Sequence, residues 1–293
     1  MENCTILVNS CDAYSDVWFV FFELFRIHWS DCPYPVVLNT ESKSYVHPNM
    51  PNDRIQSFHI YPQPDAAPEW TTRLIENIKR IDTEYILMFL DDDLIIDEVD
   101  TDRVKQCIRW MDENPEVMCF RAMETQESKN CIPSEKYPGF NYDTPDSFRS
   151  TLNIMLCRKS GLLKNILPGE NPWECEGNGI LRTKFWEGEY YSSQVGKPLI
   201  PYNANKFGGY GIWHGKWLEN TVGLCREHGI EYDFNKRGIL TEKDVHEIRE
   251  KEIEEARRSE SSKSIKAVLS RFHQKLYYAK KSIQNRIWMM RNK

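Results

Sequence analysis

The stretch that decides the fold is Tyr85–Asp93, which reads YILMFLDDD. Six consecutive apolar residues are typical of a central strand that is covered on both faces of its sheet. The run ends abruptly at Asp91, Asp92 and Asp93, residues of a type that is almost never fully buried without a partner. The stretch therefore predicts a buried strand whose carboxyl end opens at a polar site.

Strand and helix patterns alternate on both sides of this stretch. Short apolar and β-branched runs predict strands, and apolar residues at helical spacing, as at positions 70, 74, 75, 78 and 81, predict helices. This alternation predicts an α/β fold with a mostly parallel sheet flanked by helices. In chain order, the predicted elements are a strand at Thr5–Val8, a helix at Val17–Trp29, strands at Val36–Leu38 and Arg54–Tyr61, a helix at Trp70–Ile81, the Tyr85–Leu90 strand, a helix at Asp102–Asn114 and a strand at Val117–Phe120.

Polar residues follow three of the predicted strands. Asn9–Asp12 and Asn39–Glu41 come after the first two strands, as Asp91–Asp93 come after the central one. Ligands of parallel α/β sheets bind in the crevice beyond the carboxyl ends of the strands. We therefore expect these three segments to meet at one edge of the sheet and to form a single binding site.

Three adjacent carboxylates repel one another, and a divalent cation relieves that repulsion. Oxygen ligands favour Mg²⁺ or Mn²⁺, ions that commonly bridge the phosphates of a substrate. The alternative is a solvated acidic turn, because Asp97, Glu98 and Asp100 follow closely.

Five short segments of the chain carry a family resemblance: Val8–Asp12 (VNSCD), Trp29–Pro35 (WSDCPYP), Leu38–Glu41 (LNTE), Ile81–Tyr85 (IDTEY) and Phe89–Asp93 (FLDDD). Together they resemble bacterial glycosyltransferases of surface-polysaccharide gene clusters, over about residues 4 to 220. The resemblance implies a Rossmann-like GT-A fold, a nucleotide-sugar donor such as a UDP-sugar, and a Mn²⁺ or Mg²⁺ cofactor held by a DxD motif.

The resemblance also implies roles for single residues. Asp91 would contact the ribose or the metal ion, and Asp93 would coordinate the metal ion that holds the diphosphate. Arg73 would neutralise phosphate or orient the aspartates, its alternative being an exposed helix arginine. The remaining candidates for donor binding are Asn9, Ser10, Asp12, Asn39 and Asp92.

A glycine- and aromatic-rich segment at 203–217 supplies two further candidates. Glycine permits close approach of the backbone to a ligand. By the same resemblance, His214 would complete the metal site and Lys216 would meet phosphate. The alternative for His214 is a structural role.

A second acidic segment, Trp173–Glu176, lies in a stretch rich in proline and glycine. Sugar transfer needs a base that deprotonates the acceptor hydroxyl, and a carboxylate can serve. The residues leave open which of Glu174 and Glu176 is the base of an inverting displacement, and Trp173 would stack on the acceptor sugar. The alternative is a helix N-terminus whose acids suit the helix dipole.

The C-terminal part differs in composition, and we place a GT-A catalytic domain at 1–240 and a helical extension at 241–293. Residues 261–293 contain nine Lys or Arg and no acid, which leaves 29 basic and 44 acidic side chains in residues 1–260. The apolar positions of the extension recur with helical spacing, so it suits an anionic membrane surface. The alternative is packing on the body of the protein or on a second subunit.

The bulk composition excludes several other classes. An acidic body is a poor binder of nucleic acid. The start shows no signal segment and no run is long enough to span a bilayer, so we expect a cytoplasmic protein, peripheral at the inner face of the plasma membrane. Nine scattered cysteines are typical of reduced thiols.

The leading hypothesis is metal-dependent, inverting transfer of a sugar from a nucleotide-sugar to a glycan or lipid-linked glycan in surface-polysaccharide biosynthesis. One alternative is a phosphohydrolase of the haloacid-dehalogenase kind, although Leu94 stands where that family carries Thr or Val. Another is an inactive glycan-binding or scaffold subunit, although the acids of both sites are present.

Overall fold

The computed structural model describes residues 3–59, 69–184, 188–203 and 211–261, with the single positions 283, 287 and 290. The chain divides into two compact units, residues 1–211 and 212–293. The predicted domain boundary at residue 240 stays a prediction.

The first unit is built on a nine-stranded sheet with the order β3-β2-β1-β4-β8-β5-β9-β7-β6. Only β7 and β8 run against the other seven strands, so the predicted α/β fold with a mostly parallel sheet is confirmed. The strands are β1 (Cys4–Asn9), β2 (Val36–Thr40), β3 (Ile55–His59), β4 (Tyr85–Leu90), β5 (Val117–Thr125), β6 (Cys131–Pro133), β7 (Phe140–Asp143), β8 (Met155–Arg158) and β9 (Glu189–Gln194).

Helices pack on both faces of this sheet. Successive strand residues point to opposite faces. Met88 of β4 lies in an apolar cluster with Leu74 and Ile78, whereas its neighbour Phe89 contacts Phe21 on the other face. The helices of this unit are α1 (Trp18–His28), α2 (Trp70–Arg80), α3 (Thr101–Glu113), α4 (Lys159–Asn165) and α5 (Pro172–Thr183), and the first three lie within two residues of their predicted bounds.

The register of the strands brings the polar segments to one edge. Strand β1 pairs in parallel with β2 and β4, which sets Asn9 opposite both Asn39 and Leu90. Strand β8 runs antiparallel to β4, with Met155 opposite Met88. The residues just before Met155 therefore lie at the same edge as the aspartates, a juxtaposition that depends on a direction reversal not predicted from the sequence.

Within residues 212–261, the second unit contains a three-stranded sheet and the α-helices α6 and α7. Its core contains Trp217, which packs against Tyr232 and Phe234. The elements are β10 (Ile212–Trp213), β11 (Lys216–Leu218), α6 (Glu219–Glu227), β12 (Ile239–Leu240) and α7 (Glu242–Ser261).

Three positions of the C-terminal extension can be described beyond α7. Ile283, Ile287 and Met290 are helical and exposed. The other apolar positions that recur with helical spacing in the extension, from 265 to 279, lie outside the described residues. No helix in the described part of the chain combines the length and the apolar character needed to cross a membrane.

Candidate functional site

A tight turn at the end of β4 folds Asp93 back onto the strand. The Asp93 amide donates to the Leu90 carbonyl at 3.1 Å, and the Leu90 amide donates to Asp93 Oδ2 at 3.1 Å. Asp93 is fully buried and Asp91 almost so. Asp93 Oδ1 accepts no hydrogen bond from any described residue. The turn thus holds a buried carboxylate with one oxygen left over.

The triplet is an electrostatically unfavourable group. Burial raises the pKa of Asp92 to about 6. The pKa of Asp93 is raised well above its ordinary value, first by burial and then by the charges of Asp92, Asp91 and Glu176. Several carboxylates therefore share one poorly solvated site, an arrangement that a cation would stabilise.

Glu176, on α5, is the acidic side chain of that helix that reaches this environment. Its Oε1 accepts a hydrogen bond from the Leu152 amide at 2.7 Å, and burial raises its pKa. Leu152 precedes β8, at the sheet edge where the aspartates lie. The structure thus brings together two acidic segments that are more than 80 residues apart in the chain.

Glu174 lies on the same helix but takes part in its N-cap. The Asn171 side chain accepts from the Glu174 amide at 2.9 Å, and Glu174 Oε2 accepts from the Asn171 amide at 3.1 Å, which forms a capping box. Glu174 therefore fits the alternative given for this segment, in which the acids belong to a helix N-terminus and suit the helix dipole. Trp173, in the same turn, is 79% exposed.

Ser10 links the loop after β1 to the triplet. Trp18 Nε1 donates to Ser10 Oγ at 2.6 Å, and Ser10 Oγ in turn donates to Asp91 Oδ2. Sequence reasoning named Ser10 for donor binding but missed Trp18, which lies in an apolar helix like any core residue. The relay orients the Asp91 carboxylate.

A chain of buried amides crosses the sheet edge beside the aspartates. Asn39 Nδ2 donates to Asn9 Oδ1 at 2.5 Å, and Asn77 Nδ2 donates to Asn39 Oδ1. Asn9 Nδ2 is buried and has no hydrogen-bond partner among the described residues. Asn77 was missed, although a polar residue between the apolar positions 74, 75, 78 and 81 was a usable signal.

Asp12 and Arg73 are joined through Glu41. Arg73 pairs with one carboxylate oxygen of Glu41, and the Asp12 amide donates to the other. The Asp12 carboxylate accepts from the amides of residues 41 to 43 at 3.1 to 3.2 Å. Burial acts to raise the pKa of Asp12, but hydrogen bonds from Ser42 and from these amides lower it. These contacts tie together the loops after β1 and β2, and both donor-binding roles stay predictions.

Asn203 and Gly211, which are distant in the sequence, bind the main chain of Leu94 and Asp92. Asn203 Oδ1 accepts from the Leu94 amide at 2.9 Å, and the Gly211 amide donates to the Asp92 carbonyl at 2.8 Å. A Cβ at Gly211 would lie 2.9 Å from a Leu94 methyl and 3.1 Å from the Asp92 carbonyl, so this approach requires glycine. The glycine-rich run 204–210 lies outside the described residues.

His214 and Lys216 belong to the second unit. His214 Nε2 lies 3.2 Å from Glu252 Oε1, and both side chains are about half exposed. Lys216 is exposed. The metal-binding role of His214 and the phosphate-binding role of Lys216 stay predictions.

The carboxylates that follow β4 are candidate ligands for a divalent cation. Within the described ranges, no group of three or more His, Cys, Asp or Glu side chains is arranged to hold a metal ion. Mg²⁺ in phosphate-binding sites commonly takes only one or two carboxylates and completes its shell with water and substrate phosphate. Asp91 and the spare oxygen of Asp93 have the ligand chemistry of such a site, and the metal-binding role of both residues stays a prediction.

Comparison with known proteins gives distant structural likenesses only. The crystal structure of S. aureus TarS 1–349 in complex with UDP-GlcNAc has a TM-score of 0.43 at 12% identity, over 76% of this chain and 64% of that one. The complex of the same fragment with UDP gives 0.39 at 13% identity, over 65% and 60%. A cytidylyltransferase from Leptospira borgpetersenii gives 0.33 at 12% identity, over 60% and 68%.

The chain spans about three fifths of the length of the TarS 1–349 structure it matches. No family model matches the chain, and no curated protein matches it.

Proposed function

We propose that the protein is a glycosyltransferase, which transfers a sugar from a nucleotide-sugar, such as a UDP-sugar, to a glycan or lipid-linked glycan of a cell-surface polysaccharide. One observation supports this most directly: Glu176 accepts a hydrogen bond from the Leu152 amide at 2.7 Å, and Leu152 precedes β8 at the end of the sheet where Asp91 and Asp93 follow β4. The proposed diphosphate-binding acids and the candidate base would then share one site.

The donor half of the site is proposed to use the aspartates and the polar loops. Asp91 and Asp93 would hold a Mn²⁺ or Mg²⁺ ion against the diphosphate, and the ion would offset charge on the leaving group. Ser10 orients Asp91 through its hydrogen bond. Asn9, whose buried Nδ2 has no partner in the described part of the chain, supplies a donor for the nucleoside.

The acceptor half is proposed to lie on the first turns of α5. Glu176 accepts the proton of the acceptor hydroxyl, and the oxygen forms a bond to the anomeric carbon as the bond from that carbon to the nucleoside diphosphate breaks. Burial raises the pKa of Glu176, which makes it a stronger base than a solvated glutamate. The exposed ring of Trp173 stacks on the acceptor sugar. Attack from the side opposite the diphosphate inverts the anomeric centre.

The experiment that tests the proposal combines binding with turnover. Nucleotide-sugars are screened by thermal shift with and without Mn²⁺, because a ligand that binds only the folded state raises the melting temperature. Candidates are then incubated with glycan and lipid-linked acceptors, and products are followed by mass spectrometry. We expect a glycosylated product that is lost in EDTA and restored by Mn²⁺.

Other outcomes would point elsewhere. Release of inorganic phosphate from phosphate esters without sugar transfer would favour the phosphohydrolase. Tight nucleotide-sugar binding with no product over the whole acceptor panel would favour an inactive binding subunit. Full turnover in EDTA would remove the cation from the proposal.

We also propose that the C-terminal extension rests on an anionic membrane, where a lipid-linked acceptor would be found. Ile283, Ile287 and Met290 are 58%, 41% and 70% exposed, and their spacing sets them on one face of a helix. Nine cations and no acid in residues 261–293 complement anionic lipid headgroups.

A further inference from the structure

A buried ion pair joins helix α5 to Glu170, which lies two residues before the helix begins. Glu170 and Arg182 are both fully buried. Arg182 donates through Nη1 to Glu170 Oε1 at 2.8 Å and through Nη2 to Oε2 at 2.9 Å, which is a bidentate pair. Asn178 Nδ2 donates to the same carboxylate at 2.8 Å, and Arg182 Nε donates to the Asn165 carbonyl at 2.9 Å.

The main chain of Glu170 fastens this unit to α2. Its carbonyl accepts from the Thr71 amide at 3.2 Å and from Thr71 Oγ1 at 2.9 Å. Its amide donates to Thr71 Oγ1 at 2.8 Å. Glu170 is therefore bound both to the last turn of α5 and to the first turn of α2.

Stability alone does not account for such a pair. Replacement of a buried ion pair by apolar residues of similar volume is often neutral or stabilising, whereas removal of one partner is strongly destabilising. What a bidentate pair adds over apolar packing is direction, because it is formed at only one rotation of the helix about its axis. Successive helix residues are about 100° apart, so a small rotation redirects a side chain.

The side chain whose direction matters on α5 is Glu176. It accepts a hydrogen bond from the Leu152 amide at 2.7 Å, and Leu152 precedes β8 at the end of the sheet where β4 leads into the aspartates. We infer that Glu170 and Arg182 are positioning residues, which set the rotation of α5 so that Glu176 meets the Leu152 amide at that end of the sheet. The effect of this positioning on catalysis rests on the proposed function, but the position of Glu176 against the Leu152 amide does not.

The test is the apolar exchange Glu170→Leu with Arg182→Met, compared with the wild type. Its control is the exchange Glu84→Leu with Arg158→Met, a partly exposed ion pair of 2.8 Å beside the amino end of β4, away from the aspartates. Three quantities are measured: the melting temperature, the hydrogen exchange of the Leu152 amide without substrate, and kcat with the donor KM.

We expect the exchange at 170 and 182 to keep a cooperative melting transition. The Leu152 amide should exchange at least about tenfold faster, since its acceptor is displaced. The kcat should fall by about 100-fold, the typical cost of a displacement on the order of 1 Å, with the donor KM nearly unchanged. The control should leave both the Leu152 exchange and kcat as in the wild type.

A folded double variant with wild-type exchange at Leu152 would overturn the positioning role. If the double variant does not fold, Glu170→Gln, which keeps the shape of the side chain, should show the same two changes in smaller measure, and wild-type Leu152 exchange in that variant would equally overturn it. Lack of sugar transfer by the wild type would instead sink the proposed function, because the Leu152 exchange is read without turnover.

Discussion

The buried carboxylate of Asp93 opposes folding, although the proposed chemistry needs it. A fully buried carboxylate beside Asp91, Asp92 and Glu176 lowers the stability of the folded protein at neutral pH. Strongly perturbed carboxylates in one cleft are typical of functional sites. The conflict would be relieved when a cation and a diphosphate bind.

Replacement of Asp93 by Asn should therefore stabilise the cation-free protein at neutral pH and abolish transfer. The folded pKa values of Asp92 and Asp93 are raised, so their favourable contribution is full below the unfolded value and is lost as the pH rises, through about 6 for Asp92. The gain of Asp93→Asn over the wild type, measured by urea unfolding, should grow from pH 4 to pH 8.

Mn²⁺ supplies the second half of that test. At pH 7.5 it should raise the melting temperature of the wild type by roughly 5 °C near saturation. It should have no such effect on Asp93→Asn, whereas Asp97→Asn, at an exposed position, should respond like the wild type. An equal response of all three proteins would exclude the triplet as the cation site.

Glu176 and Glu174 form a matched pair for the base. Glu176→Gln should lower kcat by about 10² to 10⁴, the usual contribution of a general base. Glu174→Gln keeps a capping-box side chain and should leave kcat nearly unchanged. Because burial raises the pKa of Glu176, kcat should fall on acidification at a pH above the usual glutamate range. A larger loss of kcat in Glu174→Gln would reverse the assignment.

At the level of secondary structure, α5 owes its start to Asn171 and Pro172. Asn171 is the N-cap, Pro172 occupies the first helical position, and Glu174 completes the capping box. The helix then contains two glycines, Gly177 and Gly179, which are both unfavourable in a helix interior. Their surroundings differ, and this difference can be measured.

The two glycines should respond to alanine in opposite ways. A Cβ at Gly179 would lie 2.2 Å from Ser150 Oγ and 2.8 Å from Ser150 Cβ, so Gly179→Ala should destabilise by about 1–3 kcal/mol. A Cβ at Gly177 would meet nothing within 4 Å, so Gly177→Ala should stabilise by about 1 kcal/mol. Urea unfolding of both variants checks this, and equal effects would mean that α5 does not pack on Ser150.

The strand β8 is the element that joins the two halves of the site. Its antiparallel insertion between β4 and β5 brings Leu152 to the carboxyl end of β4. The Leu152 amide donates a hydrogen bond to Glu176. A parallel strand at this place would have started at the other edge and left Glu176 without that contact.

At the scale of the whole molecule, charge is unevenly distributed along the chain. Residues 261–293 are purely basic, whereas residues 1–260 carry 44 acidic side chains against 29 basic ones. The full chain should therefore bind vesicles that contain anionic lipid and not neutral ones, and salt should weaken that binding.

Substitution of the exposed apolar positions tests the same contact. Ile283→Asp with Ile287→Asp should reduce vesicle co-sedimentation severalfold, because the apolar face enters the headgroup region. Ile253→Asp, at an exposed position of α7, is the control and should bind like the wild type. Wild-type vesicle binding by the double variant would sink the membrane role, and a dimer by light scattering would favour the second-subunit alternative.

Local patterns in the sequence were sufficient for the elements from β1 to the start of β5. The run Tyr85–Leu90 reads as a buried strand because apolar continuity is a property of neighbouring residues, and Asp91–Asp93 mark its end for the same reason. Chain order likewise indicated that Asn9 and Asn39 follow parallel strands, and the register confirms that they lie side by side.

Tertiary structure decided what depends on contacts between distant residues. No local pattern contains the reversed direction of β8, the hydrogen bond of Glu176 to the Leu152 amide, or the pairing of Glu170 with Arg182. Periodicity indicates which face of a helix is apolar, but only packing sets which acid on that helix reaches a given strand end. The sequence by itself therefore determined the acids that mark the site, and the fold determined which of them meet.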